Sequence, residues 1–343
     1  MRLEDLTYEQ CLRQGLGPMV FPHRLEDEGM SGLGERQQMK AVCVQNMQTQ
    51  AKMLHVLTQA WQAFEDAGIH AVLMKGLGLA QYYPAPEQRT WGDIDLYVGH
   101  DQYHPACAVM RATFPDALKF DEELEHYKHY NLIADGVSIE IHRVTIGMMH
   151  PRDIRLYRQI EAYGASHALE LKIEDLRLKI FEPTFNALFV MLHSWEHKMH
   201  GNANLRQIAD LAFLLQHEHD KIDKARLQRW LKDLKLMEVW QLYMYAAVAL
   251  FGLKPTEAPF YTSGCAERAE RMVSDILAER KVESGESRGT SSNRWLRKWG
   301  TMKRGWKRAA QLAVYSPAYA RHMKAAVLLK GLTRLFAPDR KWE

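Results

Sequence analysis

Gly92-Asp93-Ile94-Asp95-Leu96-Tyr97-Val98 puts two carboxylates two residues apart in a short apolar run. Side chains in a strand alternate between faces, so Asp93 and Asp95 point the same way while Ile94, Leu96 and Val98 supply packing. Two neighbouring acids repel each other unless a cation lies between them. A hard divalent ion such as Mg²⁺, which prefers oxygen ligands and binds phosphates, suits that place. The plain alternative is a strand end carrying two solvated acids.

Upstream, Ala71-Val72-Leu73-Met74 reads as a short buried strand that runs into Lys75-Gly76-Leu77-Gly78-Leu79-Ala80. A strand, a glycine pair and a helix start expose backbone N–H groups that can cradle phosphate oxygens. The glycine spacing and ending are not those of a Walker A loop, and taken alone Gly76 and Gly78 read first as an ordinary strand-to-helix turn, ahead of a phosphate loop. Downstream, His129–Ala134 and Val137–His142 flank Asp135-Gly136, a strong hairpin signal. Glu140 then lies on a strand, with Ile139 and Ile141 on the opposite face and His142 on its own side. A third carboxylate thus lands where it can join the first two.

Taken together, Leu73-Met74-Lys75-Gly76, Tyr82-Tyr83-Pro84, Arg89, Gly92-Asp93-Ile94-Asp95-Leu96 and Ile139-Glu140-Ile141-His142 resemble the nucleotidyltransferase superfamily with its polymerase-beta-like palm. More closely, they resemble a bacterial branch of uncharacterised nucleotidyltransferase family proteins. The matching motifs lie between Leu73 and His142, with a softer match through about residue 215. One departure is that Gly76 is followed by Leu77, where the superfamily usually has Gly-Ser or Gly-Gly, so Lys75 is expected to supply charge in place of the serine. The resemblance implies an α+β fold: a small mixed β-sheet palm, a long N-terminal helix and a C-terminal helical domain. It implies transfer of an NMP from an NTP to a hydroxyl acceptor with release of pyrophosphate (EC 2.7.7-type), using Mg²⁺ or Mn²⁺. Asp93, Asp95 and Glu140 become the catalytic metal ligands, with Glu140 or His142 available for the acceptor proton. Lys75, Gly76, Gly78, Arg89, His142 and His197 become the nucleotide-binding set. Tyr82 and Tyr83 read as packing residues, and His100, His104, His126 and His129 show no arrangement that singles them out.

The net charge of +3 hides a division. Residues 288–343 hold 14 Lys plus Arg against two acids, +12, which leaves −9 for the rest. Such asymmetry points the basic segment toward an anionic partner. The four cysteines have no paired spacing, which argues against a zinc knuckle or a disulfide framework. Neither a signal peptide nor an apolar run of the ~18–20 residues that span a bilayer is present. The expected compartment is the cytoplasm, with peripheral contact at the inner membrane face through the basic tail.

The chain reads as a mixed segment 1–36, a palm with its preceding helix over 37–150, a helical domain 151–284, a linker 285–293 and a basic amphipathic tail 294–343. The helix from about Arg36 to Ala67 shows its apolar stripe at Met39, Val42, Met47, Met53, Leu54, Leu57, Ala60, Trp61 and Phe64. After Pro151 the pattern turns almost wholly helical. Pro183 opens a helix on which His193, His197 and His200 share one face, either as a polar stripe toward the nucleotide cleft or as ordinary histidines. Their spacing with Glu196 is not His-Glu-x-x-His, so a zinc site there is the weaker reading. In the tail, Trp295, Trp299, Met302, Trp306, Ala309 and Ala313 line one face among many basic residues. That face suits an anionic membrane surface, or docking on a partner protein or on the chain's own body, ahead of nucleic acid. Other functional classes stay open: a nucleotide-binding regulator or scaffold that has lost catalysis, or a toxin that modifies tRNA ends. The acceptor is read as a small molecule or peptide.

Overall fold

A computed structural model describes residues 3–26, 33–120, 124, 126–173, 175–278, 303 and 305–336, with side chains left out over 330–336. These divide into two compact units, one formed by residues up to 145 together with 161–186, the other by 146–160 and the residues from 187 onward.

The first unit opens with two short helices, α1 (Tyr8–Arg13) and α2 (Gly17–Glu26), and the long α3 (Leu33–Asp66). Thr7 caps α1 in a reciprocal box with Gln10, which satisfies donors that a helix start leaves open. The buried stripe of α3 runs through Met39, Asn46, Met53, Val56, Leu57, Ala60, Trp61 and Phe64. Met47, expected in that stripe, is 54% exposed; the inward place belongs to Asn46. Its side-chain amide donates to the carbonyls of Glu87 (2.7 Å) and Arg89 (3.2 Å) and so pins the short 3-10 turn Pro86–Gln88 to the helix.

The sheet has seven strands in the order β3-β4-β5-β2-β1-β7-β6. They are β1 (Val72–Met74), β2 (Asp93–Tyr97), β3 (Leu118–Lys119), β4 (His129–Ala134), β5 (Val137–His142), β6 (Leu169–Ile173) and β7 (Leu176–Ile180). β2 runs parallel to β5, and β1 parallel to β7; the remaining pairs are antiparallel. Between β1 and β2 comes α4 (Gly76–Ala80), and α5 (Gly99–Thr113) follows β2. β4 and β5 form the expected hairpin, with Asp135 (φ 50°) and Gly136 (φ 73°) both left-handed, as a two-residue type I′ turn requires.

Strand alternation divides the sheet by chemistry. Ile94, Leu96, Tyr130, Leu132, Ile139 and Ile141 enter one core with Val56, Trp61 and Phe64 of α3 and Tyr103 and Met110 of α5. Each fully buried Ile or Leu there contributes roughly 1.5–3 kcal/mol. The alternate positions carry Asp93, Asp95, Tyr97, Ser138, Glu140, His142, His129 and Asn131. Tyr82 and Tyr83 are buried packing residues, as expected.

The expectation of near-continuous helix after Pro151 missed β6 and β7. Helix α6 (Pro151–Ser166) leads into them, and α7 (Pro183–His200) follows. Both helices cross the division between the units. The rest of the second unit is helical: α8 (Leu205–Glu218), α9 (Lys224–Asp233), α10 (Met237–Phe251), α11 (Ala266–Ala278), α12 (305–312) and α13 (Pro317–Phe336). Asn204 and Gln207 form a capping box at α8. The expected linker 285–293 lies outside the described residues, as do Trp295, Trp299 and Met302 of the tail. The described part of the tail buries Ala309, Leu312, Tyr315, Ser316, Tyr319, Met323 and Val327. It is tied to its own unit by Ser316 Oγ donating to Glu238 at 2.6 Å, and by Tyr315 donating to Asp275. Among the described residues no helix is long and apolar enough to cross a membrane.

Gly164 of α6 faces the wholly buried ring of Phe185, within the first unit, so closely that a Cβ there would overlap the ring. Alanine would improve helix propensity by at most ~1 kcal/mol, while overpacking costs ~1–3 kcal/mol. Gly164→Ala is therefore expected to lower stability, read as a reduced urea midpoint. A midpoint at or above that of the unsubstituted protein contradicts this packing.

Candidate active site

β1 ends at Met74, directly opposite Asp95 in the antiparallel β1–β2 pair. The next residue, Lys75, has φ 51° and ψ −141°, and Gly76 has φ 43°. Glycine reaches this region freely, but a lysine held there costs about 1–3 kcal/mol. The bend turns the chain from β1 into α4 and places Lys75 Nζ 2.8 Å from Asp95 Oδ2. That wholly buried oxygen thus has the ammonium as its charge partner. Burial works against the ammonium, but Asp95, Asp93 and Glu140 outweigh it and hold the Lys75 pKa above its ordinary value.

The parallel register sets Asp95 beside Glu140 and Tyr97 beside His142. His142 Nε2 stands 3.0 Å from both Asp95 Oδ1 and Glu140 Oε2, and its Nδ1 stands 3.3 Å from the Val144 carbonyl. All three partners are acceptors, so both ring nitrogens must carry protons and the side chain is an imidazolium. Burial opposes that charge, but the hydrogen bonds to Asp95 and Glu140 prevail and raise the His142 pKa. Burial likewise pushes Asp95 and Glu140 upward. Lys75 above all then brings Asp95 below its usual value, and the His142 hydrogen bond brings Glu140 to about 2.

Sequence reasoning passed over His129. The hairpin pairs it with His142, the two rings are 4.9 Å apart, and His129 Nδ1 lies 3.7 Å from Glu140 Oε2. Burial pushes its pKa down to about 4, so it is a neutral imidazole beside a charged one. The signal was present, because a two-residue turn at 135–136 dictates which residues of β4 and β5 face each other. A second missed group is Glu161, 2% exposed, which accepts from Thr145 N and Oγ1 (2.5 and 2.7 Å) and from the Tyr97 hydroxyl.

One ligand atom each from Asp93, Asp95 and Glu140 lies within 4.8 Å of the others, and the same holds for His129, Glu140 and His142. Three carboxylates converging on one face are the donor set a hard divalent cation prefers. The set fits Mg²⁺ or Mn²⁺, in competition with the Lys75 ammonium for Asp95.

A family model described as an uncharacterised nucleotidyltransferase matches residues 4–252. The chain belongs to that family. Membership supports nucleotidyl transfer as the general activity. No curated protein matches the chain. An antigenic nucleotidyltransferase-like protein from Paracoccidioides brasiliensis, known from a crystal structure, is similar at 16% identity; the match covers 52% of this chain and 85% of that one, with a TM-score of 0.34. A likeness that distant carries no argument.

The remaining expected site residues of this nucleotidyltransferase are placed as follows. Gly76 takes the left-handed turn, and its Cβ position lies 3.7 Å from the Asp93 carbonyl. Gly78 packs on β7, where a Cβ would stand 3.2 Å from Ile180. Arg89 was expected as an edge residue of the same site; it is 3% exposed, and its side chain reaches the Thr90 carbonyl at 3.3 Å. His197 belongs to the second unit, in edge contact with His193 at 4.4 Å. His193, His197 and His200 do not form one of the metal-capable groups found among the described residues.

Removing the cation from a buried pair costs about 3–5 kcal/mol, because the remaining charge is left uncompensated. Lys75→Met should destabilise the protein by an amount of that order in urea unfolding. Adding Asp95→Asn to it should restore more than half of the loss. Two fully additive losses contradict the pairing.

Proposed function

We propose that the protein transfers an NMP from an NTP to a hydroxyl acceptor, releasing pyrophosphate, with Mg²⁺ or Mn²⁺ held by Asp93, Asp95 and Glu140. The observation that carries this reading is the convergence of those three carboxylates on one sheet face beside the Lys75-Gly76 turn. Bound divalent ions would stabilise the charge that develops on the phosphoryl oxygens.

The chain's own residues divide the remaining work. Lys75 balances Asp95, which allows a carboxylate to stay ionised at a wholly buried position. His142, protonated on both nitrogens, holds Asp95 and Glu140 side by side and cannot accept a proton. That narrows the expected choice of base. His129 is neutral and its Nδ1 is buried, and a pKa pushed down to about 4 makes it a weak base, so no side chain of this face is assigned the acceptor's proton. The triphosphate is assigned to the Gly76 turn and Lys75, whose cationic head is the one nearest the acids. Gly78 packs against β7, and Arg89, buried as it stands, remains among the proposed nucleotide-binding residues.

A second reading, a nucleotide-binding scaffold without catalysis, draws on one specific observation. Lys75 and His142 already offset two of the three carboxylate charges. Such a cluster stands without a metal.

Asp93 is only partly buried and opens strand β2, so replacing it tests chemistry with little effect on folding, whereas Asp95 is tied into the buried ion pairs. With each α-labelled NTP, Mg²⁺ and a panel of small hydroxyl compounds, peptides and tRNA, the protein should transfer the label to an acceptor and release unlabelled pyrophosphate. Asp93→Asn should reduce that release at least about 100-fold with an unchanged melting temperature, and chelation should abolish it. Equal turnover in Asp93→Asn rules out the metal assignment. Nucleotide binding without Mg²⁺-dependent pyrophosphate release selects the scaffold.

A further inference from the structure

The second unit holds a further metal-capable group that shares no residue with the acid cluster: His150, Asp153 and His322. Pro151 opens α6, so His150 directly precedes the helix and Asp153 occupies its first turn. An acid in that position ordinarily stays in water, where it complements the helix dipole. Asp153 instead is 6% exposed and faces α13. Its Oδ2 lies 2.5 Å from His322 Nε2, while its Oδ1 is buried with no hydrogen-bond partner. The His150 ring stacks on that of His322, with centroids 4.8 Å apart and planes 24° from parallel. One ligand atom from each of the three residues lies within 4.8 Å of the others.

A protein-only account leaves two difficulties. A buried carboxylate oxygen without a donor costs roughly 1–3 kcal/mol. The stacked rings also set a second imidazole, His150, beside a carboxylate whose described hydrogen bond runs to His322. One cation between the three side chains removes both difficulties, because neutral imidazoles offer it lone pairs and the carboxylate offers charge.

We propose that His150, Asp153 and His322 form a site for a divalent transition metal of the zinc class. Two imidazole nitrogens and one carboxylate oxygen match zinc, with a water completing a tetrahedron. Mg²⁺, which favours all-oxygen surroundings, is a poor fit here, so the two sites differ in the metal they select. Metal–ligand bonds of about 2.0–2.2 Å require the close Asp153–His322 contact to open. His150 Nδ1 accepts the Arg152 N–H at 3.2 Å. Ligation through either ring nitrogen gives up that long bond, since the nitrogen off the metal must carry the proton. The bound ion would clamp the start of α6 to α13 and thereby fix the basic C-terminal helix.

The test uses the full chain, stripped of metal and kept in excess Mg²⁺ to fill oxygen-only sites. Zn²⁺ is titrated in competition with a chromophoric chelator. The unsubstituted protein should bind one equivalent that His322→Gln lacks or holds about 100-fold more weakly or worse, since even the loss of a ligand's supporting hydrogen bond costs 10–100-fold. Glutamine retains a donor for Asp153, so loss of fold is not the expected reason. Zn²⁺ should also raise the melting temperature of the unsubstituted protein and not that of the variant. His150→Gln, changed at a partly exposed position before the helix, provides the same readout should His322→Gln fail to fold. Equal zinc stoichiometry and affinity in the unsubstituted protein and the folded variants overturns the proposal and leaves an Asp153–His322 ion pair.

Discussion

The carboxylate of Asp95 is wholly buried and charged, and its neighbours are arranged around that fact. Moving an isolated carboxylate out of water costs several kcal/mol even after relaxation. Asp95 therefore needs cations on both sides: Lys75 Nζ at 2.8 Å and His142 Nε2 at 3.0 Å. One comes from the residue that follows β1, the other from the last residue of β5, the strand on the far side of β2. Only a sheet with β2 in the middle of that trio brings them together. The strained backbone at Lys75 is intelligible on the same ground, since a cost of about 1–3 kcal/mol is smaller than that of leaving the acid uncompensated.

Two histidines on the same face take opposite states, and neighbours decide which. His142 touches two carboxylates and a carbonyl, all acceptors, and is held protonated. His129 lies one strand further out, where burial outweighs the pull of Glu140, 3.7 Å away, so it stays neutral. Here the difference follows from strand order, since β5 carries Glu140 and adjoins β2 with Asp95, whereas β4 adjoins β5 but not β2.

Much of this was legible in the sequence. Asp93-Ile94-Asp95 and Ile139-Glu140-Ile141 announce strands by period two, and Asp135-Gly136 announces the hairpin and with it the His129–His142 pairing. β6 and β7 also alternate, as Leu169-Glu170-Leu171-Lys172-Ile173 and Leu176-Arg177-Leu178-Lys179-Ile180. They were lost against a helical background because β6, at the sheet edge, is largely exposed. What the sequence withheld are facts of three-dimensional register. The parallel pairing of β2 with β5, which puts Glu140 beside Asp95, joins strands separated by a helix and by β3 and β4. The inward turn of Asn46 in place of Met47 depends on two carbonyls 41 and 43 residues away. Local pattern contains neither.

The basic tail shows how a composition argument is narrowed by packing. Its charge was read together with a tryptophan-lined apolar face, a combination that suits insertion among lipid headgroups. Over the described residues the face that α12 and α13 bury is Ala309, Leu312, Tyr315, Tyr319, Met323 and Val327, already packed within the second unit. The anchors are hydroxyls donating to Glu238 and Asp275, so docking does not use up the lysines and arginines. Lys303, Lys307, Arg308 and Arg321 remain exposed. Trp306, 42% exposed, lies under the Lys324 ammonium at 5.5 Å. An anionic surface meeting this segment would therefore encounter a fixed basic face, and binding would rest on charge, weakening with salt.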